Sequence, residues 1–113
     1  MLQTNIDEVL TAKELEDLIK SNEKVAVCCG RMGPMCIPVY DTFEILQDEY
    51  SDIKFRSMAF DSPESNIIRN LPECRGFNGL PFTVYYRDGK VVKATTSIQT
   101  SKQIKDIIND HLQ

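Results

Sequence analysis

Three of the chain's four cysteines fall within nine residues. Cys28 and Cys29 stand at one end, Cys36 at the other, with Met32-Gly33-Pro34-Met35 between them. The segment follows an apolar run, Val25-Ala26-Val27, and precedes a long amphipathic stretch ending near Tyr50. A strand that leads through a loop into a helix favours a thiolate at the helix start. There, unpaired N–H groups and the positive end of the helix dipole stabilise negative charge and lower a thiol's pKa. Cys36 occupies that position and is the candidate for chemistry, although its apolar neighbours Met35 and Ile37 work against ionisation. Cys28 and Cys29 are as readily explained as small apolar residues packed at a strand end. Adjacent strand residues point to opposite faces, so the two cannot both face the helix start. A bridge to Cys36 from one of them, or from Cys74, requires Cα atoms within about 7 Å. Four thiols could also hold zinc or an iron–sulfur cluster, but their spacing fits no familiar ligand pattern and vicinal cysteines ligate one ion poorly. No metal and no other cofactor is expected.

The elements that must position these residues follow from periodicity and punctuation. Residues 4–10 form a short strand or lead-in. Thr11, with Glu14 three residues on, opens a helix with a capping box and a buried stripe of Leu15, Leu18 and Ile19. Residues 24–28 read as a strand covered on both faces. The second helix carries Cys36, Val39, Tyr40, Phe43, Leu46 and Tyr50, and Pro38 requires that it start near Ile37 or kink there. Residues 53–60 alternate as a strand. Pro63 opens a third helix through Ile67, Ile68 and Leu71, which Pro72 stops. Residues 72–80 form a loop with two glycines. Two β-rich runs, 82–86 and 90–94, meet around Asp88-Gly89, a strong hairpin signal. Thr100 with Gln103 caps the last helix, whose face is Ile104, Ile107, Ile108 and Leu112. The order (β)αβαβαββα implies one α/β domain spanning 1–113, with a parallel section, an antiparallel hairpin and helices on both faces.

Composition excludes several classes. With 42% apolar and 27% charged residues the chain of 113 residues is an ordinary globular domain, large enough to bury a core without covalent staples. Its net charge of −4, with no cluster of Lys and Arg, argues against nucleic acid as a partner. There is no apolar run long enough for a membrane span and no signal-peptide pattern at the N-terminus, so a cytoplasmic location with reduced thiols is expected. His111, the only histidine, falls on the terminal helix and reads as solvated.

That order, together with local motifs, resembles the thioredoxin family over essentially the whole chain. The run from Val25 to Tyr50 has the family's apolar strand, Gly-Pro loop and long helix, and a strand ending at Asp61 follows. Gly79-Leu80-Pro81-Phe82-Thr83 is similar to the family's Gly-Ile-Pro-Thr segment, whose proline is cis and faces the active site. Tyr85-Tyr86-Arg87-Asp88-Gly89-Lys90 is similar to its hairpin. The resemblance implies a thioredoxin fold: a central mixed sheet of four or five strands, helices on both faces, and a cis-proline at Pro81.

Several positions depart from the family's Trp-Cys-Gly-Pro-Cys. Aligned on the Gly-Pro step, the chain has Met32 and Met35 at the redox positions and Arg31 in place of the tryptophan. Aligned on the downstream elements, Gly33 takes the attacking position and Cys36 the resolving one. No C-x-x-C exists in either register, and a thioether cannot form the thiolate that exchange needs. The family's buried acid is replaced by Ala26, the lysine near it by Ser57 or Met58, and a Gly-Ala loop beside the active site by Ser97-Ile98. The loop before the proline is longer than usual and carries Cys74. Two functions follow as expectations. One is a thiol–disulfide oxidoreductase with a rearranged cysteine set, Cys36 at its centre and Cys29 or Cys74 as partner. It would act on protein thiols or disulfides with a reductase as a further partner, and with low ordinary thioredoxin activity. The alternative is a redox-inactive binding module that holds an extended peptide along Met32, Gly33, Pro34, Met35, Leu80 and Pro81.

Overall fold

The structure, a computed structural model, describes residues 2–75 and 79–113. The 72–80 loop expected from sequence therefore lies partly outside the described residues. Strands β1 (Glu8–Val9), β2 (Lys24–Gly30), β3 (Lys54–Ala59), β4 (Phe82–Arg87) and β5 (Lys90–Thr96) form one sheet in the order β1-β3-β2-β4-β5. β1 and β2 run parallel to β3, whereas β4 is antiparallel to β2 and to β5. The helices are α1 (Ala12–Ser21), α2 (Ile37–Glu49), α3 (Asn66–Arg69) and α4 (Ser101–His111).

Strand alternation divides the core into two. Ala26, Cys28, Phe55 and Tyr85 pack with Val39, Tyr40, Phe43 and Leu46 of α2 and with Ile104 and Ile108 of α4. On the opposite face Val25, Val27, Cys29, Met58, Phe82, Val84 and Tyr86 pack with Leu15 of α1, Ile68 of α3 and Cys74. β2 is central and covered on both sides, which explains its unbroken apolar run.

Local signals decide the boundaries. Thr100 and Gln103 make the full reciprocal capping box. At α1 only half of the box forms. Thr11 Oγ1 accepts the Glu14 N–H at 3.0 Å, while the Glu14 carboxylate takes the N–H of Leu10 instead, at 3.0 Å. Pro38 falls in the first turn of α2, where its missing N–H costs nothing. Asp88 and Gly89 both have positive φ, 54° and 81°, the geometry of a tight turn whose twist suits a two-residue hairpin.

Two expectations need correction. The third helix is not continuous from Pro63 to Leu71. It opens as a 3-10 turn at Pro63–Ser65, has one α-turn at Asn66–Arg69, and gives way before a second 3-10 turn at Pro72–Cys74. Pro72 and the Ser65 hydroxyl, which bonds the carbonyls of Phe60 and Ser62, hold the chain in these short pieces. Strand β2, in turn, does not end at Cys28. It runs on through Gly30, so both vicinal cysteines lie inside the sheet.

Candidate functional site

The site forms where β2, the 31–36 loop, the start of α2 and the segment before β4 converge. Cys36 caps α2, and the Gly33 carbonyl accepts the N–H groups of Cys36 and Ile37 at 3.1 and 3.0 Å, which closes the turn. The Cys36 side chain turns back over the end of β2, where its sulfur accepts the Arg31 N–H at 3.4 Å. Gly30 makes this possible. A Cβ at that position would sit 2.8 Å from Cys36 Sγ, 2.9 Å from Tyr40 Oη and 3.2 Å from Pro81 Cβ. The cysteine sulfur, the tyrosine hydroxyl and the proline ring therefore share one space above a residue without a side chain. The Leu80–Pro81 peptide is cis.

Cys36 also forms part of the floor of an open groove of about 490 Å³. Met35, Pro34 and Gly33 line one side, Gly79 and Leu80 another, and Phe60 with Arg31 the end. Cys36 is 3% exposed, so its sulfur meets the groove from below rather than projecting into it. Among the described residues it is the only cysteine that lines this groove.

Arg31, at the position where the resemblance expects tryptophan, has a definite role. Its guanidinium makes two 2.8 Å hydrogen bonds to the Asp61 carboxylate and lies 5.5 Å from the centre of the Phe60 ring. The guanidinium hydrogen bonds hold the Asp61 carboxyl below its usual range. Both groups are well exposed, so the pair fixes the orientation of the loop and contributes little to stability. Tyr40 donates its hydroxyl to the Arg31 carbonyl at 3.2 Å and ties the same loop to α2.

Met32 does not belong to the groove. It packs near Leu2 and Asp61 on the other side of the loop, and its sulfur accepts the Gln3 N–H at 3.3 Å. Met35 alone of the two methionines supplies apolar surface beside Cys36, and it is 43% exposed. Ser97, with φ of 68°, places its hydroxyl 2.9 Å from where a Cβ on Gly79 would lie, so the 97–98 segment borders the groove.

Neither expected partner of Cys36 is packed against it. Cys29 points to the opposite face of the sheet because it follows Cys28 by one residue. Cys74 lies in that same second cluster, its thiol donating to the Ile68 carbonyl at 2.7 Å. Cys28 is the cysteine that shares the Cys36 cluster. Burial pushes the Cys29 thiol up to about 12 and the Cys74 thiol up to about 11. Burial raises Cys28 well above the ordinary thiol range as well, with Cys36 nearby adding to the effect. All four thiols are free. Among the described residues no three His, Cys, Asp or Glu side chains converge on a point that could hold a metal ion, and no helix is long and apolar enough to cross a membrane.

Sequence reasoning missed Gly30 and the Arg31–Asp61 clamp. A glycine inside a strand often marks close approach of another group, and Gly30 directly after the cysteine pair carried that signal. The clamp could not be read, because Arg31 and Asp61 meet only when β2 and β3 are side by side.

No family model and no curated relative matches the chain, but solved structures do. It is similar to thioredoxin from Fasciola hepatica, with a TM-score of 0.77 and 20% identity over 94% of this chain and 99% of that one. Mitochondrial thioredoxin 3 from Saccharomyces cerevisiae, in its oxidised form, superposes with a TM-score of 0.75 at 24% identity, covering 93% of this chain and 94% of that one. A mutant thioredoxin from Halobacterium salinarum gives 0.74 at 20% identity, with 100% and 97% covered. With the strand order, the paired helix layers and the groove beside Pro81, these likenesses establish that the chain has the thioredoxin fold.

Proposed function

We propose that the protein is a thioredoxin-like thiol redox protein whose reacting sulfur is Cys36. It exchanges with the thiols and disulfides of partner proteins that lie as extended chain along the groove. The observation that carries this reading is the position of Cys36 Sγ: at the groove floor, beside the Pro81 ring, with the Arg31 N–H directed at it. A backbone N–H aimed at sulfur stabilises developing negative charge, as exchange requires. In the reaction, the Cys36 thiolate attacks one sulfur of a partner disulfide, forms the mixed disulfide and expels the other sulfur as thiolate. An external dithiol such as a reductase then restores Cys36. A reducing compartment such as the cytoplasm suits this cycle, because it keeps the four thiols free.

Turnover is expected to be slow. Met32 and Met35 cannot exchange, and no C-x-x-C partner stands beside Cys36. In an insulin-type disulfide reduction assay the rate should fall at least about 100-fold below that of an ordinary thioredoxin, since Cys36 needs an outside thiol or a deeply buried one to finish each cycle. A rate equal to that of an ordinary thioredoxin would mean that another pair does the exchange.

The direct test is trapping. Incubated with a peptide disulfide at neutral pH, the protein should form a mixed disulfide at Cys36, located by mass mapping, and Cys36→Ser should form none. If Cys36→Ser forms adducts as the wild type does, another cysteine is the exchanging sulfur and this reading fails; if no cysteine is modified while the groove still binds the reduced peptide, the protein is a binding module without exchange chemistry.

A further inference from the structure

Cys28 is fully buried in the cluster that also holds Cys36. Along β2, Ala26, Cys28 and Gly30 alternate with Val25, Val27 and Cys29, and the first set faces α2. Cys36 Sγ rests over Gly30, 2.8 Å from where its Cβ would be. Cys28 projects from the same face one alternation earlier, roughly 6.7 Å along the strand. Residue 30 is glycine, so the strand itself puts no side chain between the two cysteines, and the Tyr40 hydroxyl shares the space above it. The sheet around Cys28 is also unusual for a core. Its neighbours in register are Ser57 on β3 and Thr83 on β4, and Thr83 pairs in turn with Thr95 on β5. Ser57 Oγ, Thr83 Oγ1 and Thr95 Oγ1 are buried and have no hydrogen-bond partner. Unpaired buried hydroxyls cost stability, so a row of them calls for a reason. The Thr83 hydroxyl faces the Cys28 sulfur and eases its ionisation, although no hydrogen bond of full geometry joins them.

We propose that Cys28 is the resolving thiol of Cys36, attacking it from inside the sheet and closing a Cys28–Cys36 disulfide. This rests on the reading of Cys36 as the exchanging sulfur. In the step, Cys28 sulfur bonds to Cys36 sulfur while the bond between Cys36 and the partner's sulfur breaks. The partner sulfur leaves with the electron pair and takes up the proton given up by Cys28. The partner is thereby reduced to its thiol and the protein oxidised by the same two electrons. The Ser57 and Thr83 hydroxyls, beside Cys28 in register, are the dipoles that stabilise charge on it during the attack. Burial opposes ionisation of Cys28, so this second step is the slow one.

The test counts thiols. The reduced protein is treated with excess 2-hydroxyethyl disulfide, and released 2-mercaptoethanol is measured against time. Wild type should release one equivalent quickly and a second slowly, ending with a Cys28–Cys36 bridge in the peptide map. Cys28→Ser should stop after one equivalent, with the adduct persisting on Cys36. Cys29→Ser and Cys74→Ser should release two equivalents, as the wild type does. Cys28→Ala serves as a second variant, and the wild-type peptide map requires no variant at all. A lasting adduct on wild-type Cys36, or a second equivalent that depends on Cys29 or Cys74, would overturn the role of Cys28 and leave Cys36 as an exchanging thiol. Absence of any adduct on Cys36, in wild type and in Cys28→Ser alike, would overturn both.

Discussion

Gly30→Ala should destabilise the protein by about 1–3 kcal/mol, as overpacking of a tight core does, whereas Gly33→Ala should be nearly silent. The two glycines lie three residues apart, on either side of Arg31 and Met32, and only one is constrained. A Cβ on Gly33 meets nothing within 4 Å. A Cβ on Gly30 meets a sulfur, a hydroxyl and a proline ring, all closer than an ordinary van der Waals contact. None can retreat easily, because Cys36 and Tyr40 are 3% and 2% exposed and the Pro81 ring is rigid. The cheapest relief pushes Cys36 outward and breaks the Tyr40–Arg31 hydrogen bond, loosening the loop that carries the groove. Gly30→Ala should therefore alter the alkylation rate of Cys36 as well as the urea midpoint, and Gly33→Ala neither. Equal midpoints for the two variants would show that the close approach over Gly30 is not a real constraint.

The protein should also lose stability steadily above pH 9. Burial is the first cause of the raised values of Cys28, Cys29 and Cys74. In the unfolded chain these thiols ionise near 9.0, whereas folded Cys29 holds its proton to about 12 and Cys74 to about 11. Above pH 9 the unfolded state therefore binds fewer protons than the folded one, and stability must fall as pH rises. The contribution is intact below 9 and is lost from there up through the folded-state values. At about 1.4 kcal/mol per pH unit for a fully shifted group, Cys29 removes about 2 kcal/mol by pH 10.5, and Cys28, raised by its burial, adds to the loss in the same direction. Tyr85 and Tyr86, also raised by burial, add to the loss above pH 10. Urea midpoints at pH 7, 8 and 10.5 should be level between the first two and drop sharply at the third. Cys29→Ala should lower stability at pH 7 through the cavity it leaves, yet show a shallower alkaline drop. A midpoint that holds at pH 10.5, or thiolate absorbance that rises near pH 9 in folded Cys36→Ser, would contradict the burial of these sulfurs.

The legible parts of the fold are those encoded over short distances. Thr100 with Gln103, Pro38 beside the α2 start, and Asp88-Gly89 each fix a boundary through contacts within a few residues. The apolar stripe Val39, Tyr40, Phe43, Leu46 marked the buried face of α2. The third helix was misjudged because its periodicity suits a helix while hydroxyls at Ser62 and Ser65 capture the backbone in shorter turns. Within the site, Cys36 stands out by its place at a helix start, and Gly33, Pro34, Met35 and Leu80, singled out from the Gly-Pro loop and the proline segment, line the groove. Met32 does not, and nothing in its neighbours along the chain shows that the Gln3 N–H would engage its sulfur.

The sequence by itself determined the order of elements, the absence of any C-x-x-C pair and the singular position of Cys36. Those properties depend on residue type and on spacing along the chain. Which cysteine lies beside Cys36 depended on the tertiary structure. Alternation along β2 permits Cys28 or Cys29 but not both, and the choice is made by which face of the sheet α2 covers. That choice comes from the pairing of β2 between β3 and β4 and from the burial of Phe43, Phe55 and Tyr85 on one side, contacts between residues far apart in sequence. The same packing sent Cys29 and Cys74 to the opposite face and brought Arg31 to Asp61. A thiol's chemistry is set by what surrounds its sulfur, and for all four cysteines here those surroundings are assembled across the sheet rather than along the chain.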